Sequence, residues 1–281
     1  MIKLVLCDVD NTLVSFDERP VPQVTLDAIE DLTSSGVRFG LATGRDVCEL
    51  NHIFAGDSSA FSTGVLSNGK KIFVDGELKS LTPIDHDGFV RLVEEARHIP
   101  HTFMCGYPLE TDDTNPVWCF GATPDAIVTF GKTFGFAGIA LEEVPDAPII
   151  GATIACDGPQ EQLDQTIARF AELTPQFDFA QPAPQWCDIL PKGLNKGTAL
   201  DMLVSFLPLE KDEVMVFGDA DNDLGLLQSV TNSVAVANAT PAAWKAARWH
   251  VGACKDHAVA AALHELARAA RTGELPGFMR G

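Results

Sequence analysis

The chain begins with an alternation of apolar runs and amphipathic stretches. Residues 3–7 form an apolar run of strand length that ends at Asp8, and residues 37–42 form a second such run. Between them, residues 23–35 carry apolar side chains at helical spacing, and Gly36 stands where a helix commonly ends. A strand, a helix and a second strand in this order predict a βαβ unit, in which the strands are parallel and the crossover is right-handed.

The same alternation returns near the carboxyl terminus. Two short apolar runs, each typical of a buried strand, are flanked by stretches with helical spacing. Together with the amino-terminal unit they predict an α/β fold whose core is a doubly wound, Rossmann-like parallel sheet. The further predicted segments are helix 46–55, helix 196–206, strand 214–218, helix 224–229, strand 233–236, helix 241–247 and helix 256–271.

The pattern changes between residues 83 and 188. Short apolar segments follow one another there, and only two stretches, 85–98 and 159–173, have helical spacing. Proline-containing segments mark both ends of this region, at 81–83 and 190–193. This change predicts an α+β domain inserted into the core, and one continuous large sheet is the alternative. The predicted domains are a core formed by residues 1–82 and 189–281 and an insert formed by residues 83–188.

Composition and charge exclude several classes of partner. The chain has 281 residues, 46% of them hydrophobic, which is enough to bury a sizeable core. Lys and Arg number 20 against 39 Asp and Glu, a net charge of −19, whereas nucleic acids and anionic membranes bind basic surfaces. The 7 cysteines are scattered without a C-x-x-C pair, and no apolar run is long enough to cross a membrane. We therefore expect a soluble, cytoplasmic protein with reduced thiols that binds neither nucleic acid nor membrane.

Two groups of aspartates follow predicted strands. Asp8 and Asp10 come directly after the first strand, and residues 219–223 (DADND) come directly after strand 214–218. The carboxyl ends of parallel strands meet at one edge of a sheet, so we expect these carboxylates to converge there. Carboxylates that lie so close share a proton or a cation, and an all-oxygen ligand set favours Mg²⁺. A turn with capping acids is the alternative for the first group taken alone.

Two further motifs suit a phosphate group. Thr43, Gly44 and Arg45 follow the second strand at the start of a helix, where they present a hydroxyl and backbone N–H groups. Lys196 stands where a loop becomes a helix, and it supplies a point charge for a phosphoryl group or for the carboxylates. Arg45 fits either an ion pair within the site or a substrate contact, and the sequence leaves that choice open.

The order of these motifs resembles the haloacid dehalogenase (HAD) superfamily of phosphotransferases. That order is D-x-D-x-T after the first strand, T-G-R after the second, a lysine at a helix start, and G-D-x-x-N-D after a late strand. The insert lies between Thr43 and Lys196, which is similar to a type C2 cap. Residues 67–69 (SNG) and 235–239 (AVANA) are similar to the Cof-like class IIB subfamily. Asn11, where that superfamily usually has glycine, is a departure that bears on loop geometry and substrate preference.

The resemblance implies roles for the aspartates. Asp8 would be the nucleophile that forms an aspartyl-phosphate, and Asp10 would protonate the leaving alcohol and then deprotonate the attacking water. Mg²⁺ would be bound by Asp8, the backbone carbonyl beside Asp10, and Asp219, with Asp223 reaching it through water. The implied catalytic residues are Asp8, Asp10, Thr43 and Lys196, and the implied metal-binding residues are Asp8, Asp10, Asp219 and Asp223.

The resemblance also implies a set of groups around the transferred phosphoryl group. Negative charge spreads over the phosphoryl oxygens in the transition state, so backbone N–H groups and cationic side chains stabilise it. The set combines the backbone N–H of Val9 with residues from the other motifs. The implied phosphate-binding or substrate-binding residues are Val9, Thr43, Gly44, Arg45, Lys196 and Asn222.

Three functions fit such a chain. They are a Mg²⁺-dependent phosphatase for small phosphomonoesters such as sugar or polyol phosphates, a phosphomannomutase-like phosphomutase, and a non-catalytic sensor. The sensor is disfavoured because Asp8, Asp10, Lys196 and Asp219 are all present. The insert has 4 cationic residues against 17 acidic ones, and its charge of −13 disfavours the second phosphate that a mutase must hold. We therefore predict a HAD-type phosphatase, a phosphoric monoester hydrolase that acts on a small-molecule phosphate ester as a monomer or weak homodimer.

Overall fold

The computed structural model of the protein describes residues 1–109 and 116–280. The chain divides into two compact units, one made of Met1–Leu81 and Asn195–Gly281 and the other of Thr82–Leu194. Each unit has its own sheet and its own hydrophobic core. We refer to them as the core unit and the inserted unit.

The inserted unit ends at Leu194, which is 6 residues beyond residue 188, the end predicted from the sequence pattern. The additional residues belong to the inserted unit because their backbone is bonded to its last hairpin. Lys192 N donates to Gln176 O at 2.8 Å, and Gly193 N donates to Asp178 Oδ2 at 2.8 Å.

The first segment of the core unit follows the predicted alternation as far as its second helix, and the hairpin at its end was not predicted. The helix predicted over 23–35 forms because Ala28, Ile29 and Leu32 are buried along one side of it. It ends before Gly36, whose φ of 87° is the left-handed conformation that glycine adopts without strain. The elements are β1 (Leu4–Cys7), α1 (Gln23–Ser34), β2 (Arg38–Ala42), α2 (Val47–Ile53), β3 (Gly64–Leu66), β4 (Lys71–Val74) and β5 (Glu77–Leu81).

The inserted unit is an α+β domain. Its elements are α3 (His86–Ala96), β6 (Thr102–Pro108), β7 (Val117–Phe120), α4 (Pro124–Phe134), β8 (Gly138–Ala140), β9 (Ile149–Cys156), α5 (Gln160–Leu173), β10 (Phe177–Ala183) and β11 (Trp186–Pro191). The strands form one sheet in the order β10-β11-β9-β6-β7-β8, antiparallel except for the β7–β8 pair. Helices α3 and α5 pack in one hydrophobic cluster through Phe89 and Phe170, and α4 packs in another through Phe130 and Trp186.

Helix α4 was not predicted. Its β-branched residues and Gly131 lower helix propensity, so the spacing over this segment resembles the short strands around it. The sequence does contain a helix start signal, a threonine followed by a proline at 123–124. In the structure the Thr123 hydroxyl accepts the backbone N–H of Ala126 at 3.2 Å, and Pro124 occupies the first turn. Packing of Phe130 against the sheet then stabilises a helix that propensity alone disfavours.

The remaining elements of the core unit complete the predicted carboxyl-terminal alternation. They are α6 (Lys196–Ser205), β12 (Val214–Gly218), α7 (Leu224–Ser229), β13 (Asn232–Ala235), α8 (Pro241–Ala246), β14 (Trp249–His250) and α9 (Ala258–Thr272). One hydrophobic cluster joins the core sheet to α1 and α9. It contains Val5, Cys7 and Met215 of the strands together with Leu32 of α1 and Leu263 of α9. Within the described ranges, 1–109 and 116–280, no helix has both the length and the apolar character that a membrane crossing requires.

The order of the core sheet is β14-β13-β12-β1-β2-β3-β4-β5. Strands β14 to β3 are parallel, and β4 and β5 add an antiparallel hairpin at one edge. From β1 the chain runs outward to β2 and β3, and it later returns to β12 on the other side of β1. This reversal is the topological switch point of a doubly wound fold. The predicted fold class, a Rossmann-like α/β core with an inserted α+β cap domain, is confirmed.

Candidate active site

Strands β1 and β12 end side by side at the switch point of the core sheet. Cys7 pairs in register with Phe217, and Asp8 N donates to Phe217 O at 3.0 Å. Asp8 is the first residue past β1, and Asp219 is the first residue past β12. Ligands of doubly wound sheets bind at the carboxyl ends of the strands beside the switch point. The topology therefore brings both carboxylates to the edge where a ligand would bind.

Lys196, the first residue of α6, joins two aspartates. Its Nζ donates to Asp8 Oδ1 and to Asp223 Oδ1, both at 2.6 Å, and its side chain is 1% exposed. A buried ammonium group so close to two carboxylates forms strong, charge-assisted hydrogen bonds. Lys196 thus connects the end of β1 to the turn that follows β12.

The first turn of α6 lies very close to the backbone of α7. Asn195 caps α6 by accepting the backbone N–H of Gly197 at 2.9 Å. A Cβ at Gly197 would collide with the backbone oxygen of Gly225 in α7, so only glycine fits there. This close approach brings Lys196 to Asp223, which lies just before α7.

Asp8, Asp219 and Asp223 form a buried group of carboxylates. Each offers one oxygen, and these oxygens all lie within 4.8 Å of one another. Asp223 Oδ2 accepts the backbone N–H groups of Asp219 at 3.0 Å and Ala220 at 3.1 Å. Asp219 Oδ1 accepts the hydroxyl of Thr12 at 2.7 Å. We call these three aspartates and Lys196 the Asp8 cluster.

Burial changes the proton affinity of the Asp8 cluster. Burial raises the pKa of Asp8 to about 8; Lys196 opposes this shift, and the charges of Asp223 and Asp219 add to it. Burial also raises the pKa of Asp219 to about 6, although the hydrogen bond from Thr12 acts to lower it. For Lys196, burial acts to lower the pKa, but the charges of Asp223 and Asp8 outweigh burial and raise it. Lys196 is therefore charged, and three carboxylates face a single ammonium group.

The donor set of the Asp8 cluster fits a divalent cation. With all three carboxylates ionised, the cluster has two more negative charges than Lys196 balances, and protons or a cation must offset them because an unbalanced buried charge is costly. The available ligand atoms are carboxylate oxygens, which hard cations prefer. In the described part of the chain, the hydrogen bonds to the carboxylates of Asp8 and Asp219 go to Oδ1, so Oδ2 of each carboxylate remains available to a cation.

Asp10 has different surroundings. Arg45 holds its carboxylate with two hydrogen bonds, from Nε to Oδ2 at 2.6 Å and from Nη2 to Oδ1 at 3.0 Å, and Arg19 also donates to Oδ1. Arg45 Nη1 donates to Glu49 Oε1 at 2.8 Å. We call these four residues the Asp10 cluster. The structure does not bring the side chain of Asp10 into the group that could hold a metal ion.

In the structure, Arg45 has the ion pair that was one of its two predicted roles, and the substrate contact stays a prediction. Its guanidinium forms an ion pair with Asp10, and although burial acts to lower the pKa of Arg45, the hydrogen bond and charge of Asp10 raise it. Glu49 also caps α2 by accepting the backbone N–H of Asp46 at 2.9 Å. The orientation of Arg45 is thus tied to the start of a helix.

The other predicted residues lie on loops of the core unit. Thr43 follows β2, is buried, and accepts the backbone N–H of Arg45 at 3.2 Å, while Gly44 is exposed. Val9 is buried, and Asn222 is exposed in the turn between β12 and α7. Among residues 1–109 and 116–280, no hydrogen bond joins Thr43, Gly44, Val9 or Asn222 to the Asp8 cluster.

Three contacts at the site were not predicted from the sequence. Thr12 binds Asp219, and Arg19 and Glu49 complete the Asp10 cluster. A signal existed for Thr12, because it is the threonine of D-x-D-x-T and its hydroxyl is a natural hydrogen-bond donor. For Glu49 the signal is its spacing, four residues after Arg45 and three after Asp46, which is that of a helical ion pair and a capping box. Arg19 belongs to no motif, and only the folded loop brings it to Asp10.

A family model described as haloacid dehalogenase-like hydrolase matches residues 5–263. The chain belongs to this family. The match spans the inserted unit and every motif of the two clusters. It confirms the predicted resemblance to the HAD superfamily and the predicted enzyme class, a hydrolase of the phosphatase type.

Individual relatives agree in length with this HAD-like chain. YxeH of Bacillus subtilis (strain 168), a candidate phosphatase by name, is 28% identical over 276 residues, which cover 95% of this chain and 98% of YxeH. HMP-PP phosphatase of Yersinia pseudotuberculosis serotype O:1b (strain IP 31758) is 28% identical over 243 residues, 86% of each protein. The solved structure of the HAD subclass IIB sugar phosphatase BT4131 covers 93% of this chain and 97% of its own, with a TM-score of 0.73 at 20% identity. That likeness concerns the fold, and it agrees with the predicted Cof-like class IIB architecture.

Proposed function

We propose that this protein is a Mg²⁺-dependent phosphatase that hydrolyses small phosphomonoesters through an aspartyl-phosphate on Asp8. One observation carries the proposal. The carboxylate of Asp8 stands at the switch point of the sheet, bonded to Lys196 at 2.6 Å and grouped with Asp219 and Asp223. A buried nucleophile, a fixed cationic group and spare carboxylate oxygens are the parts that phosphoryl transfer requires.

Asp8 would attack phosphorus. One oxygen of its carboxylate would donate an electron pair and form the new O–P bond, while Lys196 Nζ donates to Oδ1 and holds the group in place. The bond between phosphorus and the leaving alcohol oxygen breaks as this bond forms, so the phosphoryl group moves from the alcohol to Asp8. Water then attacks the phosphorus of the aspartyl-phosphate, which releases inorganic phosphate and restores the carboxylate.

Asp10 would move the protons. As an acid it would give a proton to the departing alcohol oxygen, and as a base it would take one from the attacking water. The two hydrogen bonds from Arg45 hold its carboxylate in one orientation. A fixed orientation supports proton transfer, because the donor must lie within hydrogen-bond distance of the leaving oxygen.

The phosphoryl oxygens would be bound by Lys196, by the hydroxyl of Thr43, and by N–H groups of Val9, Gly44 and Asn222. Each of these residues follows a strand end or begins a helix of the core unit. Preorganised donors of this kind stabilise the charge that develops in the transition state.

Mg²⁺ would be held by Asp8 and Asp219, with Asp223 and the backbone carbonyl beside Asp10 completing the set. When bound, it neutralises charge on the phosphoryl group and on the carboxylates. The support is the charge balance of the Asp8 cluster, which lacks two positive charges, and the oxygen-only donor set.

We propose sugar or polyol phosphates as the substrate class. In this proposal the inserted unit serves as the cap of the family, and it is strongly acidic, so a neutral hydroxylated or amine-bearing leaving group suits it better than an anionic one. Two of its few cations are engaged within the unit, since Arg169 pairs with Glu95 and Arg97 donates to the backbone oxygen of Glu142. No observation favours a mutase, which needs cations for a second phosphate.

A panel of phosphate esters tests the proposal. Phosphate release would be measured with Mg²⁺ and with a chelator for glycerol phosphate, hexose monophosphates, hexose bisphosphates and HMP-PP, the compound in the name of the Yersinia relative. We expect Mg²⁺-dependent release, fastest from the monophosphates. Faster release from bisphosphates, or transfer of phosphate to an added sugar phosphate, would contradict the proposed substrate class.

A further inference from the structure

The turn that follows β3 has an unusual backbone. Ser67, Asn68 and Gly69 take φ values of 52°, 56° and 101°, all in the left-handed region. This region is uncommon for serine, and strained conformations of this kind cluster at functional sites. The strain marks the turn as a place where a side chain is held in a required position.

Hydrogen bonds attach this turn to the loop proposed to bind phosphate. Ser67 N donates to Arg45 O at 3.0 Å, and Asn68 N donates to Thr43 O at 3.0 Å. Two consecutive residues of the turn therefore bond to the backbone on both sides of Gly44. The strained conformation is fixed relative to the T-G-R motif.

The side chain of Asn68 lies against Gly44. A Cβ at residue 44 would stand 3.1 Å from both Nδ2 and Oδ1 of Asn68, a distance tighter than ordinary contact. Glycine at position 44 thus leaves the space that the amide group occupies. The amide reaches the same exposed loop whose N–H group is proposed to bind a phosphoryl oxygen.

The amide oxygen of Asn68 is buried and has no hydrogen-bond partner in the part of the chain that the structure describes. Buried polar atoms almost always have a partner, so an orphan beside an active site points to a group supplied by a ligand. An amide can present a donor or an acceptor at one place, since its oxygen and nitrogen exchange by rotation. The atom without a partner is an acceptor, so the group that satisfies it must donate, and a group that also accepts satisfies the amide in either orientation.

We propose that Asn68 binds a hydroxyl group of the leaving alcohol and so selects hydroxylated phosphate esters. A hydroxyl both donates and accepts, whereas a phosphoryl oxygen at neutral pH only accepts. Asn68 lies beside Gly44 of the T-G-R motif that is proposed to bind the phosphoryl group, so a hydroxyl of the bound ester would meet the amide there. The inference rests on the proposed function and adds a residue that determines substrate specificity.

Removal of the amide tests the inference. Asn68→Gly keeps a residue that tolerates the left-handed backbone, so the turn is expected to fold. We expect kcat/KM to fall about tenfold for glycerol phosphate and hexose monophosphates, the size of one lost hydrogen bond to substrate, and less than about twofold for phenyl phosphate, which has no free hydroxyl. The measured quantity is the ratio of kcat/KM between the two kinds of ester.

Ser67→Gly is the matched control. It removes a neighbouring buried hydroxyl that also lacks a partner in the described residues, and it relaxes the same turn. We expect the ratio between esters to stay as in the unmodified protein. A changed ratio in Ser67→Gly, an equal loss for both kinds of ester in Asn68→Gly, or an unchanged ratio in Asn68→Gly would each overturn the inference.

A binding measurement separates this inference from the proposed function. Calorimetry would compare glycerol phosphate and phenyl phosphate on Asp8→Asn and on Asp8→Asn combined with Asn68→Gly. If the unmodified enzyme releases no phosphate, the proposed function fails, yet a selective loss of glycerol phosphate affinity still supports Asn68 as the hydroxyl-binding residue. If Asp8→Asn and the double variant bind glycerol phosphate with the same affinity, Asn68 does not have that role.

Discussion

Asp8 and Asp10 are two residues apart, yet their carboxylates have opposite surroundings. The Asp8 cluster places three carboxylates around one ammonium group, so it lacks positive charge. The Asp10 cluster places two carboxylates with two guanidinium groups, so its formal charges cancel. The first cluster gains from a cation and an incoming phosphoryl group, whereas the second is complete and holds its acid in one orientation. The same side-chain type is thus set for two tasks by its neighbours.

The largest effect is expected from Asp8→Asn. An amide cannot serve as the attacking carboxylate, so turnover should fall by at least about 10⁴-fold. Phosphate release measures it, and circular dichroism checks the fold. Asp221→Asn is a matched control in the same set of acids, because Asp221 is exposed and its carboxylate accepts the hydroxyl of Thr240 at 2.9 Å; the activity of this variant should be unchanged. Retained activity in Asp8→Asn would remove Asp8 as the nucleophile.

Asp10→Asn should have the next largest effect, and the effect should depend on the leaving group. Loss of an acid–base group costs about 10²–10⁴-fold for an alkyl ester, whose alkoxide leaves poorly without a proton. The cost should be smaller for p-nitrophenyl phosphate, whose phenolate leaves without one. The test is kcat for the two esters in each protein. An equal loss for both would mean that Asp10 acts on the phosphoryl group and would erase the contrast between the clusters.

Arg45→Lys tests whether the Asp10 cluster acts by orientation. Lysine keeps the charge and loses the two parallel hydrogen bonds, so kcat should fall about tenfold with little change in KM. Arg38→Lys is the control, since Arg38 pairs with exposed Asp75 away from both clusters. A rise in KM with an unchanged kcat would assign Arg45 to substrate binding instead.

The smallest effect concerns stability and pH in the Asp8 cluster. The pKa of Asp8 is raised from 3.8 to about 8 and that of Asp219 to about 6, so the metal-free folded state binds more protons than the unfolded state above about pH 4. Its stability should therefore fall as pH rises towards 8. A cation favours the ionised carboxylates, so Mg²⁺ should raise Tm by a few degrees more at pH 8 than at pH 5.

Thermal unfolding with Mg²⁺ or a chelator at both pH values measures this difference. The Asp8→Asn variant is the comparison, because it lacks the carboxyl group with the largest shift. Its metal-free stability should depend less on pH. A Tm increase from Mg²⁺ that is the same at pH 5 and pH 8 would contradict the charge balance argued for the Asp8 cluster.

Local pattern was sufficient for most of the core unit. Strands β1, β2 and β12 are runs of apolar residues because they are buried in a parallel sheet, and α1 and α9 show their buried sides as helical spacing. The inserted unit was harder to predict. Helix α4 has poor intrinsic propensity and is stabilised by aromatic packing, which no local window contains.

The sequence by itself determined the positions of Asp8, Asp219 and Lys196, because a residue that follows a buried strand or begins a helix is defined by local periodicity. It also determined the family, since the order of the motifs is a linear property. Only the tertiary structure decided the partners: Arg45 and Arg19 with Asp10, Thr12 with Asp219, and Asn68 with the loop at Gly44. Except for Arg19 and Asp10, these contacts join segments that are distant in sequence, and the hydrogen bonds of an irregular loop leave no repeating pattern from which they could be predicted.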